Sequence, residues 1–264
     1  MAETFVTVED KGDGVRLIRL DRPPMNALSN QLVGQLDDIL EQHEDDDATK
    51  ALVIWGGDKV FCAGADVKDM HAALQAGRNP APEIVAHFRP VMDRLAAFPR
   101  PTFAAIVRLA LGGGLELAMA CDFRVAALDA RLGQPEIQLG IFPGAGGTQR
   151  LPRLVGPARA KWMIMSGQPV TGEEASQWGL VDVAVPANEV LELTLSRARD
   201  LARGAVAAMA LAKKAVDSGL DGSLYDGITL ENELFTKAYD TDDARAGVAS
   251  FVENGPGKAT FSGR

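Results

Sequence analysis

Two glutamates stand in surroundings that do not suit a solvated acid. Glu116 lies within Leu115-Glu-Leu-Ala-Met-Ala-Cys121, where every companion is apolar. Burying an unpaired carboxylate is costly or drives its pKa upward. Such a residue needs either a structural partner, an arginine for example, or a role as an acid–base carboxyl kept partly dry. Glu136 lies 20 positions later in Gly133-Gln-Pro-Glu136-Ile, a second apolar frame. Pro135 steers the residue before it away from helix and sets Glu136 on a rigid turn. Two carboxyls held in rigid frames are what general acid–base chemistry requires.

Two small-residue loops could supply the other half of such a site. Gly112-Gly-Gly114 follows a predicted strand and opens the apolar helix that carries Glu116. Without side chains a ligand can approach that backbone closely, and the unpaired N–H groups and dipole of a helix start favour negative charge. Tight packing of the turn against a neighbour is the competing explanation. Phe61-Cys-Ala-Gly-Ala65-Asp-Val67 reads either as a surface turn or as a second N–H donor facing the first, the two forming an oxyanion hole. Other chemistries lack their motifs. The chain has no GxGxxG, GxxxxGKS, GxSxG or HExxH pattern. His43, His71 and His87 lack ligand spacing and read as surface residues, so no metal site is expected. Cys62 and Cys121 read as two buried thiols in a reducing compartment.

The elements that must position these groups alternate in type. Residues 5–8 and 15–20 alternate apolar and polar residues across Gly12-Asp-Gly14, the signal of a hairpin. Ser29 caps a helix with Leu32, Leu36, Ile39 and Leu40 on one face, and Ala51-Leu-Val-Ile-Trp55 is a buried strand. Residues 82–97 read as a helix that Pro90 should kink or split. Residues 103–107 and 123–127 are further strands. After about residue 145 the pattern is almost wholly helical. Thr171 and Glu174 form a capping box, Asn188 opens a helix ending near Gly204, and stretches near 205–218 and 227–252 follow before the breaker Asn254-Gly-Pro-Gly257 and a short basic end. This order predicts an α/β core with a C-terminal helical cap.

Composition sets outer bounds. The 264 residues carry 27 Lys+Arg against 36 Asp+Glu, a net charge of −9, with 47% hydrophobic and 24% charged residues. A chain of this size buries about 73% of its unfolded surface and needs no staples. Net acidity argues against nucleic-acid and anionic-membrane binding, and a polyanionic ligand would need a local basic pocket. The acidic N-terminal stretch resembles no signal or transit peptide. The most apolar window, residues 103–121, contains Arg108, Glu116 and three glycines, and each ion would cost about 2.5–3.5 kcal/mol at a bilayer centre. The expected location is the cytoplasm.

Taken in order, the motifs resemble the enoyl-CoA hydratase/isomerase (crotonase) family nearly end to end. The matching blocks begin with Arg22-Pro-Pro-Met-Asn-Ala-Leu28, Gly57-Asp-Lys-Val-Phe-Cys-Ala-Gly-Ala-Asp-Val-Lys68 and Ala110-Leu-Gly-Gly-Gly-Leu-Glu-Leu-Ala-Met-Ala-Cys-Asp122. They continue with Gly133-Gln-Pro-Glu-Ile137, Phe142-Pro-Gly-Ala-Gly-Gly-Thr-Gln-Arg-Leu151 and Gly179-Leu-Val-Asp182. The resemblance implies a spiral of ββα turns over residues 1–200 and a C-terminal helical region over 201–264 that mediates trimerisation, often followed by pairing into hexamers. It also implies acyl thioesters of coenzyme A as substrates, coenzyme A being part of the substrate, and no metal or redox cofactor.

Within the family, a glutamate at both the Glu116 and Glu136 positions resembles the hydratases. Carried over by position, the amides of Ala65 and Gly113 hold the thioester oxygen, and Glu116 and Glu136 together hold one water. Ala27, Ala63, Asp66, Val67, Gly112 and Gly144 match substrate-binding positions. Lys59 and Lys68 are candidates for the coenzyme A phosphates, or plain surface lysines. Hydration of a trans-2-enoyl-CoA is the leading expectation. Isomerisation with Glu136 alone and non-catalytic acyl-CoA binding are the alternatives. The chain departs from the family at Val107-Arg108, where Asn-Gly is usual, which leaves the local turn open. Residues 71–87 are expected to form a flexible rim that sets acyl-chain length.

Overall fold

In a computed structural model, which describes residues 3–263, the expected hairpin opens the fold. Met1, Ala2 and Arg264 lie outside the described residues, and with them the ends of the acidic N-terminal stretch and of the basic tail. Strands Val6–Asp10 (β1) and Val15–Leu20 (β2) pair antiparallel. Ser29 caps Asn30–Glu44 (α1), its hydroxyl accepting from the Leu32 amide at 3.2 Å. Leu32, Leu36 and Leu40 are buried along one face, each contributing about 1.5–3 kcal/mol by leaving water. Ala51–Trp55 (β3) is buried throughout, followed by Val67–Gln75 (α2) and Ala81–Ala97 (α3). Pro90 does not split α3, which runs through it as one 17-residue helix. The carbonyl that Pro90 cannot pair belongs to Ala86, which is exposed, so water can satisfy it. The rim expected to be flexible is likewise mostly these two helices, joined by residues 76–80.

Next come Thr102–Ile106 (β4), Leu109–Leu111 (β5), Gly113–Ala120 (α4), Phe123–Ala127 (β6) and Arg131–Gly133 (β7). A 3-10 turn, Pro135–Leu139, then leads to Gly147–Val155 (α5) and Pro157–Ser166 (α6). The second half is helical as patterned, but Val170–Thr171 (β8) and Val183–Val185 (β9) flank Gly172–Trp178 (α7). Two or three residues are too few for alternation to show in a sequence. Asn188 lies in a 3-10 turn, so the next helix, Val190–Ala202 (α8), starts two residues later than expected. Val206–Gly219 (α9) matches its pattern. The single helix expected over 227–252 is two, Leu224–Ala238 (α10) and Asp242–Asn254 (α11), because Thr241 caps the second by accepting from the Ala244 amide at 3.1 Å.

The described residues form a six-stranded sheet in the order β1-β2-β3-β4-β6-β9, parallel except at the hairpin. A second row runs beside it. Leu28 bridges Ala65, Cys62 bridges Ala110, and β5 pairs with β7 and β7 with β8. Strands β2, β3, β4 and β6 of the first sheet are thus each followed by a short stretch in the second row and then by a helix. Repeated along the chain, that unit is the expected spiral of ββα turns. Helix α8 covers β3, β4 and β6. Helix α9 is tied back to the core by Lys213, whose ammonium lies 2.9 Å from Asp122 Oδ1 and donates to the Phe98 carbonyl at 2.9 Å. Among the described residues no helix is long and apolar enough to cross a membrane.

Arg108 marks a local conflict. It joins β4 to β5 with φ +60°, a conformation that costs a residue with a Cβ about 1–2 kcal/mol. Its side chain is exposed, and only its carbonyl is committed, accepting from the Arg131 amide at 2.7 Å. Arg108→Gly is therefore expected to stabilise the protein by about 0.5–1 kcal/mol after the unfolded chain's added freedom is counted. A urea midpoint that rises at unchanged slope checks this, and an unchanged or lower midpoint refutes it.

Candidate active site

Register brings the two glutamates together. In the β5–β7 pair Leu111 stands opposite Gly133, and the Gly112 amide donates to the Gly133 carbonyl at 2.9 Å. The chain leaving β7 therefore emerges beside the triple glycine. Gln134-Pro135-Glu136 turns there, and Glu136 Oε1 comes to 3.1 Å from the point a Cβ on Gly112 would occupy. Glu116 sits in the first turn of α4, only 3% exposed. Its Oε1 accepts from the amides of Ala145 and Gly147, both at 2.7 Å. No arginine pairs with it directly. Arg150 instead donates to the Ala145 carbonyl at 3.1 Å and lies 3.2 Å from Asp93, holding the loop that holds Glu116.

Gln134 completes the link between the acids. It is fully buried, and with its nitrogen turned toward Glu136 it donates to Oε1 and Oε2 at 2.8 and 3.1 Å. The reverse orientation would set oxygen against oxygen. A Cβ placed on Gly147 would lie 2.8 Å from the Gln134 amide and 3.0 Å from Glu116 Oε1, so Gln134 reaches from Glu136 to the surroundings of Glu116. Sequence reading missed Gln134 and Arg150. The only signal for Gln134 was its place in the rigid Gly133-Gln-Pro-Glu turn.

The facing amides come from the other two loops. The 62–66 segment is strung between Leu28 and Ala110 by its two bridges, which leaves the Ala65 N–H on the side away from Leu28. Neither that amide nor the Gly113 amide has an acceptor among the described residues. They are neighbours: a Cβ on Gly113 would stand 3.6 Å from the Ala65 nitrogen. The glycines divide the two explanations left open by the sequence. Gly114 is there for packing, since a Cβ on it would sit 2.3 Å from the Cys62 carbonyl oxygen. Gly113 keeps the amide pair open, and Gly112 adopts φ +53°.

Around this centre Ala63, Ala65, Asp66 and Ala27 are half-buried, Gly112 is buried, and Val67, Lys68, Lys59 and Gly144 are exposed. Gly144 precedes the Ala145 amide that holds Glu116. Asp66 caps α2 through the Lys68 amide at 3.0 Å. His71 and His87 are at the surface as expected, whereas His43 is half-buried with Nδ1 2.9 Å from the Ile39 carbonyl. Cys62 and Cys121 are buried free thiols, each pushed up to about 12 chiefly by burial.

The two carboxyls differ in what surrounds them. Burial pushes Glu116 upward, but the Gly147 and Ala145 amides and the positive Arg150 oppose it. Two N–H donors at 2.7 Å favour the ionised form of their acceptor. Glu136 is pushed up to about 7, first by burial and further by the charge of Glu116, against the opposing effect of its own amide. Glu136 is thus the better placed of the two to carry a proton near neutral pH, as a property of the coupled pair. A stability consequence follows. A carboxyl raised from 4.5 to about 7 contributes its full stability below pH 4.5 and loses it as pH rises through 7. Glu136→Gln, which cannot ionise, is expected to melt above the wild type at and beyond pH 7, by about 5–10 °C. The gap should close below pH 4.5 in calorimetry, and an offset independent of pH would refute the assignment.

Comparison with known proteins agrees with this geometry. The family model described as enoyl-CoA hydratase/isomerase matches residues 10–264. A probable enoyl-CoA hydratase of Mycobacterium bovis is 39% identical over 252 residues, covering 95% of each chain. The mitochondrial enoyl-CoA hydratase of Pongo abelii is 38% identical over 94% of this chain and 85% of its own. The crystal structure of an enoyl-CoA hydratase from Bacillus anthracis superposes with a TM-score of 0.91 at 37% identity, covering 99% of this chain and 100% of that one.

Proposed function

The chain belongs to the enoyl-CoA hydratase/isomerase family, and from that premise we infer that it adds water reversibly across a trans-2-enoyl-CoA to give a 3-hydroxyacyl-CoA. The observation that carries this reading is the pair of carboxyls in unlike surroundings, Glu116 gripped by two amides and Glu136 raised by burial, beside two unpartnered amides. With the thioester oxygen between the Ala65 and Gly113 amides, electron density drawn from the double bond collects where preorganised donors wait. Glu116 takes a proton from water as its oxygen bonds to the β-carbon. The π pair moves to the thioester as an enolate, and Glu136 gives its proton to the α-carbon. Proton exchange between the acids and solvent restores the starting state. Isomerisation needs only one such carboxyl, and the two amides gripping Glu116 favour hydration.

Hydration has no net redox change, and the two carboxyls and two amides supply its proton transfers and charge stabilisation, so we propose that it needs no metal or redox cofactor, with coenzyme A entering as part of the substrate. Exposed Lys59 and Lys68, flanking the Ala65 loop, are the proposed contacts for its phosphates, with Ala27, Ala63, Asp66 and Val67 along its path. Residues 1–200 carry the site, and 201–264 carry self-association into a trimer or hexamer. Two observations support that assembly. The single chain exposes 13530 Å², against about 11,000 Å² for a monomer of this mass. Leu220, Leu224, Tyr225, Phe235, Tyr239 and Val252 of the last three helices and their links are all more than half exposed. A cytoplasmic location suits the two buried free thiols.

The test is to incubate the protein with enoyl-CoAs of graded length and follow loss of the conjugated-thioester absorbance. Turnover with at least one of them is expected. Flat traces throughout, with tight acyl-CoA binding, would replace this reading by a non-catalytic binding role.

A further inference from the structure

We propose that Arg22 is a positioning residue for the Ala65 amide, acting through Asp66 although it lies over 40 residues away in sequence. The proposal rests on the hydratase reading for its kinetic arm only.

The Ala65 amide has little to hold it directly, because its nitrogen must stay free. It is fixed by its neighbours. The Leu28 amide donates to the Gly64 carbonyl at 2.8 Å, and the Asp66 amide donates to the Leu28 carbonyl at 3.0 Å, so the peptides on either side of Ala65 are both clamped to Leu28. What clamps Leu28 to the loop is Arg22. One arm of its guanidinium donates to Asp66 Oδ2 at 2.6 Å and the other to the Ala27 carbonyl at 2.9 Å. The fork thus spans the two segments whose relative position sets where the Ala65 N–H points.

Both ends of the clip are themselves anchored. Asp66 Oδ1 accepts from the Lys68 amide at 3.0 Å, leaving Oδ2 to the arginine. Burial would raise the Asp66 carboxyl, but Arg22 and the Lys68 amide outweigh it and hold it below the usual range. On the other side, buried Asn26 accepts from the Arg22 amide at 2.9 Å and donates to the carbonyls of Gly56, Val60 and Phe61 at 2.7, 3.1 and 3.1 Å. A lysine could reach one of Arg22's two acceptors but could not fork between them. A donor aimed at developing charge loses much of its effect when displaced by fractions of an ångström.

The test uses hydration kinetics together with the carbonyl stretch of enoyl-CoA bound to a Glu116→Gln background, in which the ligand persists. Arg22→Met is expected to lower kcat by about 10–100-fold with KM changed by less than about threefold. The binding-induced downshift of the carbonyl stretch should shrink. Asp66→Asn keeps an acceptor for the Lys68 amide and should reproduce most of the loss, with the double variant no worse than Arg22→Met alone. A kcat within twofold of wild type with an undiminished carbonyl shift overturns the proposal, as does a loss confined to KM. If Arg22→Met does not fold, Arg22→Lys decides. At wild-type melting temperature it must show a reduced carbonyl shift, and a full shift refutes the clip. Should the unmodified protein hydrate no enoyl-CoA, the functional reading falls while the carbonyl arm still decides this one.

Discussion

Glu116→Gln is expected to lower kcat for hydration by between about 10² and 10⁴-fold while leaving the fold intact. Both parts come from the same geometry. The glutamine carbonyl can still accept from the Ala145 and Gly147 amides, which sit at 2.7 Å from the native oxygen, so the loop over α4 keeps its anchor. An amide cannot take a proton from water, so the attack on the β-carbon loses its base. The variant also loses the negative charge that helps hold the proton on Glu136, whose pKa should fall below about 7. Stopped-flow absorbance gives kcat, and thermal melting checks the fold. Hydration within tenfold of wild type, in a properly folded variant, would refute the two-carboxylate mechanism. Retained double-bond migration in the same variant would show that Glu136 alone suffices for the isomerase reaction.

The second large effect separates two adjacent glycines. Gly113→Ala would place a methyl 3.6 Å from the Ala65 nitrogen, on the ground proposed for the thioester oxygen. Its closest other neighbour is the Leu28 Cδ1 at 3.2 Å, the end of a side chain that can move aside. The fold should tolerate it, with kcat down about 10²–10³-fold, comparable to losing one oxyanion donor. Gly114→Ala meets backbone instead, at 2.3 Å from the Cys62 carbonyl oxygen and 2.8 Å from its carbon. Neither atom can yield without pulling the 62–66 loop off α4. A loss of about 3 kcal/mol or more is expected, together with the activity. Urea denaturation and kinetics on both variants test the pair. Equal stability losses would show that the division between a packing and a binding glycine is mistaken.

Much of the site was legible before any coordinates because burial and charge conflict within short stretches. A glutamate among leucines and alanines, or three glycines ahead of an apolar helix, is costly unless something uses it, and that cost is visible locally. The same locality explains the capping residues Ser29 and Thr171, whose side chains act on amides three positions away. It also explains what was missed. Strands β8 and β9 are held by pairing with β7 and β6, and their few residues carry no periodic signature. Gln134 and Arg150 look unremarkable in one dimension because their partners, Glu136 and the Ala145 loop, are identified only once the chain has turned back on itself.

By itself the sequence determined the kinds of element, the acidic groups and the glycines, because propensity, capping and burial are settled among near neighbours. Tertiary structure alone decided that Leu111 stands opposite Gly133, that Ala65 lies between Leu28 and Gly113, and that the two glutamates meet unlike surroundings. Those outcomes depend on the register between segments 20 to 48 positions apart and on the dielectric their packing creates. Such quantities belong to the folded arrangement, and no window of residues contains them.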